Sequence, residues 1–113
     1  MKYIKTYENV NSKYEIGDYV ICKEKVCSKE LKKFLANNIG QIVDINYTEE
    51  HPYVIKYEDI PEILSGRFDE VVKKDDPDYT YKDRRVMKYQ EIIYHSKNKK
   101  DLEPFILSNK FNI

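Results

Sequence analysis

Apolar runs of strand length recur along this chain at roughly ten-residue intervals, each cut off by a glycine, a proline or a polar turn. That punctuation leaves no room for long helices and predicts a small, mainly β domain. The clearest runs are GDYVIC, IGQIVDIN, YVIKYE and EIIYHS. In the first, Gly17-Asp18 supplies a turn and Tyr19 to Lys23 a β-branched and aromatic strand. In the second, Val43, Ile45 and Tyr47 alternate with Ile42, Asp44 and Asn46, and Gly40 permits a bend or bulge. In the third, Tyr53, Ile55 and Tyr57 share one face while Lys56 and Glu58 take the other, so the turn TEEHP predicts a hairpin. A closing strand is expected around Ile92, Ile93 and Tyr94.

Short helices interrupt this pattern. In SKELKKFLANN, Ser28 suits an N-cap, Leu31, Phe34 and Leu35 fall on one helical face, and Asn37-Asn38 can end the helix in a left-handed turn. PEILSG reads as one turn started by Pro61 and stopped by Gly66, RFDEVVKK as a further strand, and DDPD as a loop. Near the end, Leu102, Phe105 and Ile106 have helical spacing, but Pro104 biases Glu103 away from helix, which predicts only a bent or short turn.

A chain of 113 residues fits one domain with a single core. The opening 13 residues scatter Tyr3, Ile4, Tyr7 and Val10 before the polar Asn11, Ser12 and Lys13, and read as an N-terminal arm. Residues 14–113 then form the domain with a C-terminal extension. Two fates are open to the arm: packing on a second copy in a homo-oligomer, or a free tail. Twenty basic and twenty acidic side chains cancel, which argues against duplex nucleic acid as a partner. No apolar run has the length of a membrane helix, and Met1 to Lys13 lacks the apolar core of a secretion signal, so a cytoplasmic protein that does not engage membrane is expected.

The residue types for metal or nucleophilic chemistry are present without the spacing. Cys22 and Cys27, separated by four residues, match neither a redox CxxC nor a disulfide scaffold, and His51 and His95 stand alone in unrelated elements. On a strand, His95 and Ser96 point to opposite faces, and no GxSxG, HExxH or phosphate-cradling glycine loop occurs. The expectation is a protein without catalytic residues, metal or cofactor.

Tyrosine is the compositional outlier, with eleven Tyr, four Phe and no Trp. The stretch DDPDYTYKDRR concentrates the distinctive chemistry: a Tyr-x-Tyr pair, Tyr79 and Tyr81, followed by Arg84 and Arg85, two of only three arginines. As a bland reading, this is a solvated turn. As a site, tyrosine rings stack bases and arginine forks hold phosphates bidentately. The candidate ligand-binding set is Tyr53, Tyr57, Tyr79 and Tyr81 for bases, with Arg67, Arg84, Arg85 and Lys56 for phosphates.

The succession GDYVIC, IGQIVDIN, YVIKYE, EIIYHS resembles that of SH3-like small barrels, here with an inserted short helix in a long first loop. The MKYIKTYE opening and SKNKKDLE tail resemble those of small accessory proteins of tailed bacteriophages. That resemblance implies a non-enzymatic protein in the host cytoplasm that works by occupancy, as an anti-defence sponge sequestering a nucleotide immune signal. Two alternatives stand beside it: an interaction module that inhibits a host defence or metabolic enzyme, and a single-stranded nucleic-acid binder.

Overall fold

The computed structural model describes the backbone of residues 14–111, so the N-terminal arm lies outside the described residues. Its strands are β1 (Tyr19–Cys22), β2 (Gly40–Asp44), β3 (Tyr53–Lys56), β4 (Val72–Lys73), β5 (Asp76–Thr80), β6 (Arg84–Met87) and β7 (Ile92–Ser96). Two α-helices accompany them, α1 (Lys29–Ala36) and α2 (Glu103–Phe111), with 3₁₀ turns at Glu62–Arg67, Tyr89–Glu91 and Lys99–Asp101. Five strands form one antiparallel sheet in the order β6-β3-β2-β1-β7, and β4 and β5 make a separate hairpin. Among the described residues no pairing joins β6 to β7, so the sheet is open and the expected barrel is not closed.

α1 forms for the reasons its sequence offers, except at its end. The Ser28 hydroxyl accepts the Leu31 N–H at 3.2 Å, and Leu31, Phe34 and Leu35 are buried against the sheet. No left-handed residue terminates it, because Asn37 sits at φ −110°. Instead the side-chain amides of Asn37 and Asn38 donate to the Lys33 and Phe34 carbonyls, both at 2.8 Å, and satisfy the groups that a helix end leaves open.

The bulge in β2 falls at Val43, not Gly40: Ile42 opposes Ile55, and the next partner pair is Asp44 with Val54. The extra residue resets the alternation, so Ile42 is buried in the core and Ile45 packs against it. Gly40 has a different task. It pairs with Val20 in regular strand, and a β-carbon there would lie 2.4 Å from the Ile55 Cγ2 methyl and 3.0 Å from the Tyr57 ring.

Three further segments depart from expectation. DDPD is no loop: Asp76–Thr80 is β5, joined to β4 through a tight turn at Lys74 and Asp75. RVMKYQEIIYHS holds two strands, β6 and β7, split by the Tyr89–Glu91 turn, where the Glu91 carboxylate accepts the Lys88 N–H at 2.8 Å. Pro104 does not shorten the last helix, because it occupies the first turn of α2, where no intrahelical N–H is needed.

The close fit at Gly40 gives a direct test. Gly40→Ala should lower stability by about 1–3 kcal/mol, as overpacking a filled core does, because its neighbours are a β-branched methyl and a buried ring. A reduced urea midpoint with an unchanged slope is the expected result.

Candidate functional site

The structure separates the eight sequence-predicted site residues. Tyr53 and Tyr57, each 1% exposed, are core residues and cannot stack a base, which corrects the sequence expectation. Their face of β3 lies beneath α1 and the Glu62–Phe68 segment, and the Tyr57 ring contacts Phe34 and Phe68 edge to face, with centroids 5.6 Å away in both cases.

Arg85 is also withdrawn from phosphate binding. Its Nη2 donates to Glu24 Oε1 at 2.8 Å, its Nε donates to Glu24 Oε2, and its Nη1 donates to the Arg67 carbonyl at 2.6 Å. Both side chains are nearly covered, 13% exposed for Arg85 and 10% for Glu24, and Glu70 stands 3.9 Å off. The guanidinium fork is thus filled by a protein carboxylate. Arg67 meets Arg85 only through its backbone, and its own residue is exposed.

Tyr79, Tyr81 and Arg84 remain, and the structure does bring them together. The Tyr79 and Tyr81 rings meet edge to face at 5.4 Å, and the Arg84 guanidinium lies 3.7 Å over the Tyr81 ring, in cation–π contact. Among the described residues, Arg84 Nε is buried and donates no hydrogen bond, and Asp83 Oδ1, at 3.5 Å, is an ion-pair partner. Tyr81 and Arg84 edge a cleft of about 300 Å³ between the β4–β5 hairpin and the outer face of the sheet. Its apolar wall includes Val43, Val54 and Val71, and its rim carries Asp44, Lys73, Lys74 and Asp75. Lys56 opposes Arg84 across β3 and β6 but lines a separate cleft of about 430 Å³ with Tyr19, Asn38 and Ile106.

Tyr47 is a site residue that the sequence did not disclose. Its hydroxyl accepts the Val72 N–H at 3.3 Å and ties the hairpin to the β2–β3 connection, as does the Lys74–Asp44 ion pair at 3.5 Å. The signal for it was the turn inside VVKKDD, which marks a hairpin folding back on the sheet.

The thiols offer no nucleophile. Burial pushes Cys22 up to about 12 from an ordinary 9.0, and burial also raises Cys27, so both stay protonated near neutrality. Among the described residues, no group of three or more His, Cys, Asp or Glu could hold a metal ion. No family model, curated protein or solved structure matches the chain.

Two stability measurements follow from this geometry. Arg85→Ala strands a nearly buried carboxylate and should cost about 3–5 kcal/mol, whereas Glu24→Leu with Arg85→Met should recover most of that loss. Equal losses in the single and double variants would show that the pair is not a buried one. For Cys22, the folded thiol holds its proton over a range where the unfolded thiol has released it. Its contribution to stability is therefore complete below about pH 9 and is lost as pH rises through about 12. Cys22→Ala should flatten the alkaline fall in unfolding free energy, read from urea titrations, by up to about 1.4 kcal/mol per pH unit.

Proposed function

We propose that the protein is a non-enzymatic binding protein of the phage accessory type, built on an SH3-like sheet, that sequesters a small nucleotide-like ligand in the hairpin cleft. The strand order supports the architecture. GDYVIC, IGQIVDIN and YVIKYE become the adjacent β1, β2 and β3, the long first loop carries α1, and β7 returns beside β1.

The observation that carries the ligand class is the Arg84 guanidinium lying 3.7 Å over the Tyr81 ring at the edge of the cleft. A guanidinium at a cleft edge offers a planar fork of donors that a ligand phosphate can take bidentately. The valine wall beside it accepts a flat ring, and about 300 Å³ is the low end of small-molecule sites. Asp44 and Asp75 on the rim oppose Lys73 and Lys74, which favours a ligand with few charges, such as a cyclic nucleotide, over a long polyanion.

The test is to incubate the protein with cyclic and linear nucleotides, separate the bound fraction, release it by heat and analyse it. Unaltered nucleotide should be recovered. Arg84→Lys keeps the charge but loses the planar fork, and should weaken retention about ten- to a hundred-fold with little change in thermal stability. Retention of no nucleotide removes the proposal, and recovery of altered product would make the protein an enzyme.

A further inference from the structure

A third cleft, sharing no lining residue with the other two, lies between α1 and the β1–β7 side of the sheet. It encloses about 450 Å³. Four lysines surround it: Lys23 directly after β1, and Lys29, Lys32 and Lys33 on α1. Cys22, Ala36 and Ile93 form its apolar floor, and Ile93 is 46% exposed there. The cleft's one acid is Glu24, whose two oxygens are already taken by Arg85. None of the four lysines forms an ion pair among the described residues.

Part of this placement is unfavourable for the helix itself, although Lys33 lies in the last turn, where the dipole favours a cation. Lys29 stands at the first position of α1, where the helix dipole disfavours a cation, and Lys29 and Lys33 are a like-charged pair one turn apart. Glu30 is the first turn's only acid. A chain with no net charge has thus gathered four unpaired ammonium groups around one apolar-floored concavity.

We infer that this lysine cleft binds a compact organic polyphosphate, with the phosphates held by Lys23, Lys29, Lys32 and Lys33 and a ring or other apolar part seated on Ile93. The charge count suits a di- or triphosphate, in contrast to the mixed rim of the hairpin cleft. The concavity suits a small molecule, because about 450 Å³ falls within the range of small-molecule sites.

Isothermal titration with ATP and, separately, with inorganic tripolyphosphate tests the assignment. ATP should bind more tightly than tripolyphosphate, and both affinities should fall as salt rises. The Lys29→Gln, Lys32→Gln, Lys33→Gln triple variant should weaken both ligands by at least about tenfold while keeping its circular dichroism and melting temperature, since all three residues are exposed. Ile93→Ser should weaken ATP and leave tripolyphosphate unchanged. Failure of ATP to bind, or equal affinity in wild type and the triple variant, overturns the inference. So does equal affinity for ATP and tripolyphosphate, which would leave the floor without a role. A loss of ATP binding in Arg84→Lys but not in the lysine variant would assign that binding to the hairpin cleft instead.

Discussion

Phe34, Tyr57 and Phe68 meet as three rings, each edge to face with the other two and with centroids 5.5 to 5.6 Å apart. Three separate segments of the chain meet at this contact. Phe34 brings α1 onto the sheet, Tyr57 marks the exit from β3, and Phe68 marks the return of the chain. Pairs in this arrangement contribute roughly 0.5–1.5 kcal/mol each beyond the burial of their area. The backbone is fastened at the same place, since Tyr57 N–H donates to the Asp83 carbonyl at 2.9 Å and Arg84 N–H donates to the Phe68 carbonyl at 3.2 Å. The long excursion between Tyr57 and Asp83, hairpin included, is therefore clamped at its base.

The Glu24–Arg85 pair sits beside this cluster and resolves an ambiguity that the cluster leaves. Two consecutive arginines open β6, and a one-residue slip would exchange the faces of Arg84 and Arg85. In the observed register Arg85 opposes the buried Ile55, and Arg84 opposes the half-buried Lys56 on the outer face. Only the inner arginine can reach Glu24, so the pair selects the register that leaves Arg84 beside Tyr81. Buried ion pairs contribute little net stability compared with apolar replacements, and fixing one arrangement among close competitors is what this pair offers.

Local signals were legible in the sequence, and signals that depend on partners were not. The cap at Ser28, the helical spacing of Leu31, Phe34 and Leu35, and the three runs that became β1, β2 and β3 all rest on residues within a few positions of one another. Shared faces were legible too: Tyr53, Ile55 and Tyr57 do lie together. Their burial was not, because tyrosine suits a core and a surface equally well, and the choice was made by α1 and Phe68 arriving from elsewhere. DDPD resembled a loop because aspartate and proline are poor strand formers, yet an exposed hairpin such as β4–β5 needs only backbone pairing and has edges that tolerate Pro77. The cleft beside the α1 lysines was not legible either, since nothing local to SKELKKFLANN shows that Cys22 and Ile93 lie opposite.

The same packing decides where binding can occur. A small sheet whose interior is filled by Tyr14, Tyr53, Tyr57, Phe34 and Phe68 spends its largest side chains on its own core, so the concavities lie outside that core. The lysine cleft and the hairpin cleft are each walled by an added element against the sheet, α1 on one side and the hairpin on the other. Their electrostatics differ because those elements differ in composition. The hairpin brings acids and bases in near balance, whereas the α1 face turned to its cleft carries bases alone, with the nearest carboxylate already neutralised. Arg85 thus links the two clefts: by taking Glu24 it offsets the negative charge beside the lysine cleft, and by fixing the β6 register it leaves Arg84 at the edge of the other.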